Sequence, residues 1–331
     1  MSGLNALWQA ILVLVGGGAI GFLYKGLDRK LAARLQGRIG PPLRQPVLDV
    51  VKLLLKENVV PRTAVPWLFQ AAPFLAFVAA VTALLYLPVG RLSPVLHGYG
   101  DLVLVLYLLA IPALAMALGG LASGSPYAVV GAQREIVMMM SYEFPLAIAA
   151  VGIAWRLSTL GIGPSFSLAT IAANPLWGSV GPLGWIGLSL LFAALLAVTP
   201  AELSKIPFDI PEAETEIAGG LLVEYSGVNL ALFYLADVIK TLVIAGLVVA
   251  LFIPYGIAAP LGIVGIGGKI LDILFFLVKL FVVIFVAVTV IRVAFARLKV
   301  DQVVWFYLLP VTFISLAGLL LLVLDKVVMG G

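Results

Sequence analysis

The 331-residue chain contains no cysteine and a single histidine, His97. The first absence excludes disulfides and cysteine-held iron–sulfur clusters. The second leaves no set of imidazole ligands for a metal or haem site. Charge is also scarce: 11% of residues are charged, against about 25% in a soluble domain. No dinucleotide fingerprint, phosphate loop, HExxH or nucleophile motif stands in a credible context. Gly16-Gly17-Gly18 falls inside an apolar run, where it suits helix packing. No internal repeat of transporter size is visible. The sequence therefore offers no catalytic residue and no metal site, and any redox chemistry must belong to other chains.

Apolar length is what the chain has in abundance. It is 63% hydrophobic, with a mean hydropathy of +1.18. That composition predicts an all-α integral membrane protein: a single polytopic domain over 1–331. Eight stretches approach the ~20 residues a bilayer requires, at roughly 4–24, 67–89, 101–121, 134–154, 183–203, 229–253, 270–296 and 303–325. The first is followed by Lys25 and lacks a small-residue cleavage site, so it reads as a span and not as a cleaved signal. With the N-terminus outside, fourteen of the 20 basic residues fall on inside loops. Arg91, Arg156, Lys269 and Lys326 fall outside, and Lys240 and Lys279 fall within spans. This asymmetry follows the positive-inside rule and places both termini outside. The net charge of +4 is thereby read as topology, and no nucleic-acid partner is expected.

Two inside segments stand out. The basic loop 25–66 continues the first span as a helix to Gly40-Pro41-Pro42, then reads PVLDVVKLLLKE from Pro46. Val47, Leu48, Val51, Leu54 and Leu55 recur at helical spacing, with Asp49, Lys52 and Lys56 elsewhere on the wheel. This predicts an amphipathic helix on the membrane surface, either a topological anchor or a docking surface for a soluble partner. The second segment, 202–227, holds Glu202, Asp209, Glu212, Glu214, Glu216 and Glu224 among 16 acidic residues in the whole chain. A helix beginning near Asp209 and Pro211 would put Glu212 and Glu216 on one face. The helix dipole gives first-turn acids an innocent reason to exist. Repulsion between them gives at least one a tendency to hold a proton.

Further charges lie in or beside spans. Glu143 sits about two turns into the fourth, close to Pro145, and the segment 119–135 before it reads as a glycine- and serine-rich loop. Asp237 and Lys240 are three apart and can pair on the helix surface; Asp272 and Lys279 share a face. Intramembrane ionisable residues are functional candidates, and helix–helix polar staples are the bland reading. These residues alone would fit a stand-alone secondary transporter as well as a pump subunit.

Three stretches resemble the subunit 1 family of complex I and its relatives in membrane-bound group 4 NiFe-hydrogenases. They are Asp28-Arg29-Lys30 with Arg38-Ile39-Gly40-Pro41 and QPVLDVVKLLLKE; Ala201-Glu202-Leu203 through IPFDIPEAETEIAGGLLVEYSG; and Ser125-Pro126, Gln133-Arg134-Glu135, Tyr142-Glu143 and RLKVDQ. The resemblance implies a non-catalytic membrane anchor in a redox-driven, proton-translocating complex of the prokaryotic cell membrane. Its partners would be a hydrogenase-like large subunit and an iron–sulfur small subunit of a soluble arm, antiporter-like membrane subunits, and lipid. Cofactors, namely 4Fe–4S clusters and a NiFe centre, would sit in those partners and none in this chain. Positions matching the family's acidic file are Glu143, Glu202, Asp209, Glu212, Glu214, Glu216 and Glu224, with Asp237, Lys240 and Lys279 as further members of the proton relay. Docking to the soluble arm would fall to Arg29, Lys30, Arg34, Arg38, Arg44, Arg134, Arg297 and Asp301. One departure matters. Only Pro42, Leu43 and Arg44 separate Gly40-Pro41 from Gln45-Pro46, where complex I has a longer segment. The short form, with GSP at 124–126 and EYSG at 224–227, looks more like the hydrogenase branch. The alternative is a quinone-binding subunit of complex I proper.

Overall fold

The computed structural model describes residues 3–90 and 92–329. Arg91, assigned above to an outside loop, lies outside the described residues. Eight helices are long and apolar enough to cross a membrane among the described residues, and no named strand occurs among them. In chain order the helices are α1 (Gly3–Leu35), the short α2 (Gln45–Leu54), α3 (Pro66–Leu85), α4 (Asp101–Ala122), α5 (Pro126–Thr159) and the short α6 (Leu168–Ala173). There follow α7 (Pro182–Glu202), the one-turn α8 (Glu214–Ile217), α9 (Gly227–Phe252), α10 (Gly265–Ala294) and α11 (Val300–Val328). Eight crossings put both ends of the chain on one face, the terminal face. The other face carries loops 36–65, 203–226 and 295–299 and is the basic face.

Proline opens several helices. Pro46, Pro66, Pro126 and Pro182 stand at the first or second helical position, where a missing N–H costs nothing and φ is already helical. Pro126 explains the largest departure from the expected spans. The glycine- and serine-rich loop expected over 119–135 shrinks to Ser123–Ser125, turned by Gly124 at φ +72. α5 therefore starts eight residues before the expected span, and Glu135 lies inside a helix.

α9 is the central post. Every residue from Val238 to Phe252 is buried, as expected of a helix apolar on all sides. α3, α1, α2, α10 and α7 pack around it. α2 matches the expected surface helix, but its apolar stripe points outward. Pro46 and Val50 are buried, while Val47, Leu48, Val51, Leu54 and Leu55 are exposed. Asp49 holds α2 to α1, accepting a hydrogen bond from Arg29 at 2.7 Å and another from Gln45 at 2.8 Å. α10 is π-helical over Phe285–Val290, and α11 over Tyr307–Val311. Such widened turns often occur at functional sites.

Candidate functional site: a charged cavity on the basic face

α7 ends at Glu202, which is 2% exposed. Lys240, more than three turns into α9 and 6% exposed, places its Nζ 2.9 Å from Glu202 Oε1. The two helices thus carry one ion pair between them in the apolar interior. Tyr142 and Glu143 of α5 complete this buried end, both interacting electrostatically with Glu202. Tyr142 is fully buried and meets Tyr307 of α11 edge to face. Glu143 is half-buried.

Asp237, one turn before Lys240, does not pair with it. The three-residue spacing would allow that contact, but neighbouring elements offer each residue a better partner. Asp237 takes Lys25 of α1 and Lys205 of the loop after α7, the latter at 3.0 Å. Glu212 stands beside this triad. Burial raises its carboxyl above the ordinary value; Lys205 opposes the shift and Asp237 adds to it. Burial alone would lower the Lys205 ammonium, but the Asp237 and Glu212 carboxylates outweigh it and raise the group. On the far wall Asp28 of α1 accepts a hydrogen bond from Thr289 at 2.6 Å and pairs with Arg292 at 3.1 Å.

These groups line a cavity of about 310 Å³ that opens on the basic face. Its wall carries Asp28, Asp209, Glu212, Glu214 and Asp237 against Lys25, Arg29, Lys205 and Arg292. A smaller cavity of about 50 Å³ shares Leu203, Ser204, Lys205, Glu212, Tyr234 and Asp237 with it and reaches Glu202 and Lys240. The polar surface is thus continuous from the mouth to the buried pair. The inner cavity has room for a few water molecules, each of which needs polar partners.

The acidic stretch is divided by its backbone. The expected single helix from Asp209 is interrupted. Ile210–Glu212 form a 3-10 turn, Ala213 is extended at φ −63 and ψ 98, and α8 starts at Glu214. Glu212 and Glu216 therefore do not share a face. Glu212 turns to the cavity, while Glu216 pairs with Arg134 of α5 at 2.7 Å. Asp209 is gripped by Arg297, whose Nε donates at 2.9 Å. Glu214 is exposed and Glu224 is half-buried. Gly220 is closely packed, while Gly219 borders open space. A Cβ on Gly220 would lie 2.0 Å from the Pro211 carbonyl oxygen, and one on Gly131 of α5 would lie 2.8 Å from it. The 210–222 segment is thereby pressed against α5.

Of the basic residues singled out for docking, Arg34, Arg38 and Arg44 are exposed on this face, as is Asp301. Lys30 is half-buried. Arg29, Arg134 and Arg297 are committed to Asp49, Glu216 and Asp209. Lys279 lies apart from the other relay candidates. It donates to the Ile253 and Tyr255 carbonyls at 2.7 and 2.8 Å, while Asp272 accepts from the Ile257 and Ala258 amides. The two residues staple the 253–258 segment to α10.

Two features were not singled out as site residues by the sequence. Glu135, on α5, is 1% exposed and neither carboxyl oxygen has a hydrogen-bond partner among the described residues. Its seven-residue spacing from Tyr142, on a face shared with Ala128 and Met138, was the available signal. At the terminal face Arg156 and Asp325 form a bridge at 3.0 Å, 4% and 2% exposed, and Asp325 accepts from the Gly181 and Gly184 amides. No group of three or more metal-ligating side chains occurs among the described residues.

The NADH dehydrogenase family model matches residues 8–323. A subunit of the NADH-quinone oxidoreductase of Geobacillus kaustophilus is 34% identical over 336 residues, covering 93% of both chains. The corresponding subunit of Anoxybacillus flavithermus is 34% identical over 329 residues, covering 93% of this chain and 92% of its own. Among solved structures, a chain of the membrane-bound sulfane sulfur reductase, an archaeal respiratory membrane complex, superposes with a TM-score of 0.83 at 29% identity. That match covers 96% of this chain and 99% of the other. The acidic stretch, the eight crossings and a family match running almost end to end lead to one assignment: the chain belongs to the NADH dehydrogenase family, that of complex I subunit 1.

Proposed function

We propose that this membrane subunit of a redox complex anchors a soluble, hydrogenase-like arm at the cytoplasmic face and couples electron transfer there to proton movement. The observation that carries the reading is the Lys240–Glu202 pair at the floor of the charged cavity. An ion pair in an apolar interior costs desolvation that packing alone would not require. Here it is joined to the surface by Lys205, Asp237 and Glu212. Protons from the basic face, where Glu224 also lies, would reach Glu212, then the Glu202 carboxylate, with Glu143 as the onward group. A charge change near the soluble arm would act on the pair electrostatically, because carboxyls sharing one lysine do not all ionise together.

The docking surface would be the exposed arginines Arg34, Arg38 and Arg44 with Asp301, beside Lys30. Arg29, Arg134 and Arg297 would support that surface from beneath. The lining argues for water over a quinone headgroup. Five carboxylates and four cations on the wall of a 310 Å³ cavity are unlike the mostly apolar lining of small-molecule pockets. The short Gly40–Gln45 connection supports the same branch. The partners' clusters would perform the electron chemistry.

The test is Glu202→Gln in the assembled complex, reconstituted in vesicles. Electron transfer should continue while proton translocation is lost. If pumping and redox turnover both survive, the relay does not pass through Glu202. Loss of assembly alone would favour a purely structural anchor. Activity in the isolated chain would favour a transporter.

A further inference from the structure

The relay proposed above leaves one buried acid unused. Glu135 lies on α5, nine residues into the helix, on the face that also carries Tyr142. Seven residues correspond to about two turns and a rotation of only about 20°, so the two side chains are stacked along α5 roughly 10 Å apart. Glu143, eight residues on, is rotated by about 80° from Glu135. Glu135 and Tyr142 therefore face the bundle interior together.

The surroundings of Glu135 are unusual for a carboxyl. It is 1% exposed, and both oxygens are buried without a hydrogen-bond partner among the described residues. Its neighbour in the chain, Arg134, reaches the other way to Glu216. The charged groups within electrostatic reach of it are Lys240 from α9, Glu212 from the 3-10 turn and Glu202 from α7. The roof above it is closed by the backbone contact of Gly131 with Pro211 and Leu221.

Charge balance decides what such a group can be. An ionised carboxylate with no donor in an apolar interior costs many kcal/mol, whereas a neutral acid costs far less. Lys240 supplies one positive charge, and Glu202 and Glu135 together could supply two negative ones. Electroneutrality in the interior is met when one carboxyl is ionised and the other holds a proton. In the structure the lysine contacts Glu202, so the proton falls to Glu135.

We propose that Glu135, Lys240 and Glu202 form a three-group unit in which the two carboxyls share one proton, stored on Glu135 while Lys240 pairs with Glu202. Transfer is a simple exchange. The Glu135 acid gives its proton, through intervening water, to the Glu202 carboxylate, becomes the carboxylate itself, and takes over Lys240 as its counter-ion. Glu212 on the cavity wall is the group positioned to replenish it. The inference deepens the relay reading and rests on it for its role in turnover. The stored proton can be observed independently of turnover.

The experiment is infrared spectroscopy of the assembled complex in ordinary and heavy water, on the wild type and on Glu135→Gln, Glu202→Gln and Glu143→Gln. The carbonyl band of a protonated buried carboxylic acid should be present in the wild type and in E143Q and lost in E135Q. In E202Q it should also be lost, because Lys240 is then free to hold Glu135 ionised. A buried acid with a purely packing role would keep its band in E202Q, and that result overturns the proposal, as does a wild-type band that survives in E135Q. In vesicles, E135Q should keep electron transfer while proton translocation falls to the level of an uncoupled membrane, and Glu135→Asp should restore part of it. If E135Q changes the band as expected but pumps normally, Glu135 holds a proton off the pathway and the proposed role is wrong. If E202Q and E135Q both pump normally, the relay reading itself fails, whatever the bands show.

Discussion

Lys240 crosses from the middle of one buried helix to the last residue of another, its Nζ 2.9 Å from Glu202 Oε1. Asp237 lies a turn away on the same helix yet serves Lys25 and Lys205. The polarity of α9 is thus divided between two separate sets of partners, one at the cavity wall and one at its floor.

Removing one member of the floor pair strands the other. Lys240→Met leaves the Glu202 carboxylate without a counter-ion and should destabilise the complex by about 3–5 kcal/mol. Glu202→Gln leaves an ammonium with Glu135 nearby and should cost less. The double substitution should recover most of the loss. Thermal denaturation of the detergent-purified complex, analysed as a double-mutant cycle, reads the coupling.

The bridge on the terminal face should behave differently. Asp325→Ala removes the partner of Arg156 and the acceptor for the Gly181 and Gly184 amides, at a cost of about 3 kcal/mol or more. It lies away from the cavity, so the number of protons moved per electron should be unchanged in the complex that survives. A parallel loss of coupling would show that the two faces communicate.

Stability should depend on pH through Glu212. Its carboxyl is raised above 4.5 by burial, so the folded chain binds a proton more tightly there than the unfolded chain. The associated stability is complete below the ordinary carboxylate value and lost as pH rises through the folded value. Lys205 is raised above 10.5, so its contribution persists through neutral pH and disappears only at alkaline pH. Melting temperature should fall as pH rises above 4.5, and Glu212→Gln should flatten that fall. A slope unchanged in E212Q would place the titration elsewhere.

The surface pairing on the basic face is weaker. Arg134→Ala breaks a bridge to Glu216, whose side chain is 46% exposed, and should cost no more than about 1 kcal/mol. Gly220→Ala should be far worse. Its Cβ would meet the Pro211 carbonyl at 2.0 Å at a residue with φ +52, so the 210–222 segment must move. Limited proteolysis of this segment in the two variants would separate them: G220A should be cut readily and R134A should resemble the wild type.

The spans could be read from the sequence because a bilayer imposes one length and one chemistry on each. What the sequence withheld was the choice of partner. Spacing along one helix offered Asp237 to Lys240. The bundle instead supplied Asp237 with Lys25 and Lys205, 212 and 32 positions away, and gave Lys240 to Glu202. Glu135 was hidden for a local reason. Its neighbours Gly124, Ser125 and Pro126 suggested a loop, when they mark the start of a long helix. Lys279 was visible as a buried charge, but nothing in the sequence showed that the 253–258 backbone would come down to meet it.

The widened turns of α10 have a consequence for insertions and deletions. A π-helical stretch carries an extra residue relative to the α-helical phase, and one residue corresponds to about 100° of rotation. Thr289 and Arg292 face Asp28 in the register that the stretch over Phe285–Val290 sets. Deleting a single residue inside the stretch would close the widened turn to a uniform pitch and leave the residues beyond it on their faces, whereas deleting one from the regular turns before it would rotate everything beyond by about 100°. The far wall of the cavity is therefore indexed by a count of residues as much as by their identity.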